Sequence, residues 1–219
     1  MNKTNIEWVK NFDGSQGYVW NPVWGCKNNC EYCYARKINN RFKKIENWNK
    51  PEWLESNFQK SFPKKPSRIF VNSMSDIAFW KPEWMEKVLN KIKEYPQHTF
   101  LFLTKDFDIY ADWEWPTNCW LGYTITNQSK MNDFCLGEAY FPENNKLFLS
   151  IEPIQNKIDL FILPDWIIIG AETGNRKNKI IPQKEWIEEF IQPDVTIPIF
   201  MKNNLKPYWN GKFKQEFPD

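Results

Sequence analysis

A single histidine, His98, serves a chain of 219 residues. That scarcity sets aside a multi-histidine metal site and leaves little room for a Ser-His-Asp triad. Long apolar runs are missing too. The greasiest stretches, Phe161 to Leu163 and Trp166 to Ile169, fall far short of the ~20 residues that cross a bilayer. Met1 to Trp8 contains no apolar core of a signal peptide. No glycine-rich phosphate loop follows the first apolar run, which argues against a dinucleotide fold. Repeats and low-complexity linkers are absent, so residues 1–219 read as one domain. Neither charge sign dominates: Lys+Arg 29 against Asp+Glu 27 creates no global field toward nucleic acid or membrane.

Tryptophan is abundant, with 13 in the chain, and hydrophobic residues reach 42%. That is enough for a large core, with flat aromatic surfaces left over to wall a cavity. Short β-branched or aromatic runs alternate with helical patterns. Strands are expected at Tyr18–Trp24, Arg68–Met74, Thr99–Thr104, Cys119–Thr126, Lys146–Ile151, Trp166–Gly170 and Ile197–Met201. Helices are expected at Ala35–Glu46, Pro82–Lys93, Ser129–Glu138 and Pro182–Ile191, the second and fourth opening on a proline in the first turn. Near-continuous apolar strands such as Phe100 to Leu103 suit a parallel sheet covered on both faces. Six or seven βα units in this length predict an α/β fold of the partial (β/α)6 barrel type, with a flat doubly wound sheet as the competing topology.

Five cysteines are unevenly placed. A secreted disulfide framework would spread them, so a reducing cytoplasm is the expected setting. Cys119 begins a strand and Cys135 sits in a helix; both read as packed thiols, with hydrogen-atom donation as the alternative. Cys26, Cys30 and Cys33 are bunched in a C-x3-C-x2-C spacing directly after the first strand. Three thiolates on one loop can hold three irons of a [4Fe-4S] cube and leave the fourth iron open. A structural zinc site would need a fourth ligand, and no second knuckle is available. Merely buried or reactive thiols are the third reading.

With Tyr32 between the second and third cysteines, the segment resembles the radical S-adenosylmethionine (SAM) superfamily signature, C-x3-C-x-aromatic-C. More narrowly, the chain is similar to a short phage- and plasmid-associated radical SAM-like family of unassigned function. The resemblance runs through Trp20-Asn21-Pro22, the Cys loop with Tyr34-Ala35, and Met74-Ser75-Asp76. It continues through His98-Thr99-Phe100, Leu103-Thr104-Lys105, Trp120-Leu121-Gly122, Leu149 to Pro153 and Gly170 to Gly174. It implies a barrel-type fold, a [4Fe-4S] cluster on Cys26, Cys30 and Cys33, and SAM on the open iron. Tyr32 is then expected near adenine, Ser73 and Asp76 with Asn72 at the SAM ammonium, and an external donor of flavodoxin or ferredoxin type supplies electrons. It also implies a phage- or plasmid-encoded enzyme in the host cytoplasm.

Other polar residues stand at expected strand ends, where a parallel barrel does its chemistry. Thr124 and Thr126 are candidates for ribose hydroxyls and Glu152 for a cofactor contact. Glu172, Lys105 and Lys202 are candidates for moving a proton. Helix capping or ion pairing across the barrel mouth is the alternative for each. Between Arg36 and Arg68 ten basic residues face three acidic ones, a local +7, interleaved with Trp48, Trp53 and Phe58. This stretch is read either as a solvated surface or as a contact for a nucleotide or nucleic acid, which makes nucleotide modification the favoured chemistry. The competing readings are a cluster- or zinc-bearing adaptor that binds nucleic acid or protein, and SAM-dependent group transfer.

Overall fold

The computed structural model describes residues 1–137, 141–192 and 196–218, with the backbone alone at 135–137. Its framework is a mixed α/β fold on one mostly parallel sheet. The strands are β1 (Asn2–Lys3), β2 (Tyr18–Val19), β5 (Arg68–Phe70), β6 (Thr99–Thr104), β7 (Cys119–Thr124), β8 (Lys146–Ile151), β9 (Trp166–Ile169) and β10 (Ile199–Met201). They lie side by side in that order, with β1 antiparallel and every other pairing parallel. A doubly wound sheet reverses its strand order and carries helices on both faces. Here the order never reverses. The sheet is not closed, because β1 and β10 form its two edges.

The helices are α1 (Tyr34–Phe42), α2 (Glu55–Phe58), α3 (Pro82–Lys93), α4 (Gln128–Gly137) and α5 (Lys184–Glu188). Pro82 opens α3 at the first helical position, and Trp84, Met85, Val88, Leu89 and Ile92 form its buried stripe. These residues join Met131 and Phe134 of α4 and Ile187 of α5 against one face of the sheet. Two crossovers, β6 to β7 and β8 to β9, contain no described α-helix, so the expected series of βα units is interrupted. The expected Pro182–Ile191 helix is realised only as α5, Lys184–Glu188, with Pro182 before it. Glu138, the expected end of α4, lies outside the described residues.

The expected first strand is broken. Pro22 lacks the N–H needed to continue a ladder, and the chain leaves β2 for β3 (Val23–Trp24), which pairs antiparallel with β4 (Glu52–Trp53) in a second, small sheet. That departure starts the cysteine loop over the C-terminal ends of the parallel strands.

Strand alternation divides the other face of the sheet into levels. Its floor is apolar: Trp8, Phe70, Leu101, Trp120, Phe148, Trp166, Ile168 and Phe200 form one buried cluster. Phe217 near the C-terminus packs on Trp166 and Phe200 with centroids 5.6 and 5.1 Å apart. Arg68 sits in the same layer, 1% exposed, between the rings of Phe12, Trp120 and Phe217. His98 is buried among Phe62, Tyr95 and Phe100. Cys119 is fully buried, and burial pushes its thiol pKa up. Among the described residues no helix is long and apolar enough to cross a membrane.

Gly122 makes the floor possible. A Cβ built there would stand 2.2 Å from Cζ of Phe148, whose ring fills the space on the neighbouring strand. Phe148 is 1% exposed and cannot withdraw freely. Gly122→Ala should therefore cost about 1–3 kcal/mol in urea unfolding, and adding Phe148→Leu should recover part of the loss. Wild-type stability in Gly122→Ala would show that the floor is looser than described.

Candidate functional site

The loop is held by its backbone. Gly25 N–H donates to Met74 O at 3.0 Å, and Cys26 N–H donates to Trp48 O at 2.9 Å. Gly25 has φ +104, and a Cβ there would lie 2.9 Å from both Trp48 O and Pro51 Cα, so only glycine fits. Cys33 caps α1: its Sγ accepts from Arg36 N–H at 3.3 Å. The Arg36 side chain turns back to Asn29 and to Cys30 O. Cys26 Sγ accepts from Asn28 N–H at 3.4 Å.

Asp76 connects this loop to the sheet. Its Oδ1 accepts from Thr104 Oγ1 at 2.6 Å and Ala78 N–H at 3.1 Å. Its Oδ2 accepts from Asn28 Nδ2 at 2.8 Å and Lys105 N–H at 3.1 Å. The carboxylate is 5% exposed, and burial raises its pKa against the lowering by these donors. Asn72 is likewise committed, its amide exchanging hydrogen bonds with the backbone of Leu103 at 2.7 and 3.1 Å. Ser73 trades hydrogen bonds with Asn21, and its carbonyl accepts from Tyr34 Oη at 2.7 Å.

Above the apolar floor lies a cavity of about 670 Å³, within the usual range for small-molecule sites. Its wall includes Cys26, Cys30, Cys33, Tyr32, Asn72, Ser73, Asp76, Lys105, Thr124, Glu152, Glu172 and Lys202. Of the residues expected at the cofactor and catalytic site, Thr126 is not in the wall. Lys105 Nζ donates to Tyr32 Oη at 3.1 Å. Burial lowers the Lys105 pKa, and nearby Cys30 and Asp76 partly offset this. Burial also raises the Tyr32 phenol and pushes the Cys26 thiol up to about 12.

Three ion pairs gather at the mouth. Glu152 pairs with Lys202. Arg176, unmarked in the sequence, binds both oxygens of Glu172 at 2.8 Å and reaches Glu31 between the second and third cysteines at 2.8 Å. It therefore fastens the loop after β9 to the cysteine loop. Period-two counting from Phe148 would have found Ser150, which also lines the cavity. Asn21, Asn28 and Arg176 act through the fold and left no periodic signal. Trp24, in the cavity wall beside Cys26, has a buried indole N–H with no partner among the described residues. No three described His, Cys, Asp or Glu side chains converge on a single metal ion.

Folding divides the expected Arg36–Arg68 stretch: Lys37, Arg41, Lys43 and Lys44 stay exposed on and after α1, while other members turn inward. Arg68 is in the floor, Trp48 is 7% exposed in a small core with Ala35, Ile45 and Met74, and Trp53 packs on Phe58 at 4.8 Å. Lys64 and Lys65 precede β5, at the opposite end of the strands from α1. The bases that these aromatics were expected to stack would find them occupied by the core.

Residues 3–202 match the model of a family described as protein of unknown function (DUF5131), and the chain belongs to that family. No curated protein and no solved structure matches it.

The Glu172–Arg176 pair gives a pH test. The Arg176 hydrogen bonds hold Glu172 below its ordinary value of 4.5. A carboxyl whose folded pKa is depressed contributes stability above its unfolded pKa and loses it as pH falls through the folded one. Wild type should therefore exceed Glu172→Gln in denaturant midpoint at pH 7, with the gap closing as pH falls below the ordinary carboxyl value of 4.5. A gap that stays constant would mean the pair acts by packing alone.

Proposed function

We propose that this DUF5131 member is a radical SAM enzyme in which Cys26, Cys30 and Cys33 hold a [4Fe-4S] cluster. One observation carries the reading. Three thiols on one short loop stand over the C-terminal end of a parallel sheet and open on a ligand-sized cavity. The donor set suits an electron-rich sulfur cluster. Asn28 and Arg36 already direct backbone N–H groups at two of the sulfurs, and Trp24 has an N–H to spare. A single zinc ion needs its ligands drawn together at about 2.3 Å, whereas a cube spreads three ligands over three corners. The sequentially ordered sheet, with its cavity above an aromatic floor, supports an incomplete barrel of the (β/α)6 type.

When bound, such a cluster supplies the electron that cleaves SAM and releases a 5′-deoxyadenosyl radical able to take hydrogen from a substrate C–H bond. The chain's own residues position the reactants and exclude water. Lys105, oriented by Tyr32, offsets negative charge beside Cys30. The Tyr32 ring provides a surface for adenine. Ser73, Asp76 and Asn72 would form the ammonium end of the SAM site while hydrogen-bonded into the framework, and SAM would exchange the Glu152–Lys202 pair for its own ammonium and carboxylate. Thr124 and Ser150, on the inner face of β7 and β8, offer hydroxyls to the ribose; Thr126 is not in the wall. Glu172 stays ionised beside Arg176, so it would accept a proton rather than donate one. Electrons come from an external donor of flavodoxin or ferredoxin type.

Anaerobically reconstituted protein treated with dithionite and SAM should yield 5′-deoxyadenosine. Cys30→Ala should lose both the product and stoichiometric iron. S-adenosylhomocysteine or methylthioadenosine in its place would indicate group transfer. Neither iron–sulfur absorbance nor product would contradict the assignment and favour an adaptor.

A further inference from the structure

The outer face of α1 continues the cavity wall. Tyr34, Ile38 and Phe42 recur every four residues, so they lie along one side of the helix. Tyr34 and Ile38 line the cavity, and Phe42 extends the row outward. Their exposures are 47%, 36% and 66%, while the helix anchors itself through buried Ala35 and Asn39. Large exposed side chains in a row, leading to a cavity, mark a binding surface rather than a core.

The charge beside this row has one sign. From Tyr34 to Lys44 there are five basic residues and no acidic one. Lys37 and Arg41 are exposed and form no ion pair among the described residues. Arg41 lies over the Phe42 ring at 5.2 Å. Across the mouth, Gly174 would place a Cβ 3.5 Å from Lys37 Nζ, and Lys179 shares with Lys37 the field at Glu172. The row of two aromatic rings and Ile38 is therefore flanked by a basic edge that runs from Arg41 through Lys37 toward Lys179.

We propose that this face is the track of a single-stranded polynucleotide whose base enters the cavity. Exposed rings at Tyr34 and Phe42, bridged by Ile38 and flanked by cations, suit an unpaired strand: rings stack on base faces and cations track phosphates. A duplex would keep its bases out of reach of the cavity. An acidic peptide would use the cations and leave the rings unexplained. The fate of the base rests on the radical reading, but the binding does not.

The test is fluorescence anisotropy with labelled mixed-sequence DNA and RNA strands of about 12 nucleotides. A blunt DNA duplex and a poly-glutamate peptide serve as competitors. A single strand should bind, with affinity falling steeply as salt rises. Phe42→Ala should weaken it about tenfold with little change in salt slope, and Phe42→Tyr should retain it. Lys37→Glu with Arg41→Glu should flatten the slope by about 0.7 for each phosphate that is no longer neutralised. No single-strand binding, equal competition by duplex or poly-glutamate, or unchanged affinity in Phe42→Ala would each overturn the proposal. Phe42 lies outside the cavity lining, so SAM cleavage without substrate should be unchanged in its variants. Strand binding without 5′-deoxyadenosine would refute the radical reading alone.

Discussion

The Asp76 carboxylate is the point on which the cavity depends. Four donors converge on it from three places: the cysteine loop through Asn28, the end of β6 through Thr104 and Lys105, and its own turn through Ala78. A buried anion without such partners would cost several kcal/mol, and charge-assisted bonds of about 1.5–3 kcal/mol each offset part of that cost, with burial still holding its pKa raised. The loop that carries the thiols is thereby placed over strand ends to which it is only weakly joined by backbone pairing. Arg176 performs the same task on the far side, joining Glu31 to Glu172.

Below this polar ring the sheet is filled with rings, and the two halves serve different ends. The floor from Phe70 to Phe200 excludes water and supplies stability, since truncating one such aromatic costs about 3–5 kcal/mol. The upper layer gives up that stability to keep Lys105, Glu152 and Lys202 at a cavity. Gly122 allows the floor to close, and Gly25 allows the loop to leave β3 without collision. The division explains how a small α/β chain keeps many charged side chains facing inward without losing its core.

Much of this was legible in residue order. β6, β8 and α3 have the expected bounds because each carries a strong period or a proline start. The thiol spacing and the strand-end polar residues led to the cavity because both are local signals. Three features were not legible. The split of the first strand at Pro22 depended on a small sheet formed with Glu52–Trp53, far along the chain. The inward turn of Arg68 and Trp48, which removes both from the exposed basic stretch, is a tertiary choice that charge counting does not register. Arg176 acts through partners at Glu31 and Glu172, and no pattern in its own neighbourhood announces it.

The central claim is that three cysteines leave one iron of a cube open to SAM. Electron paramagnetic resonance of the reconstituted, dithionite-reduced protein, recorded with and without SAM, addresses it most directly. The account predicts a [4Fe-4S]⁺ signal whose g-values and line shape change when SAM binds and that disappears in Cys30→Ala. A signal of that type indifferent to SAM, or one retained without Cys30, would contradict it.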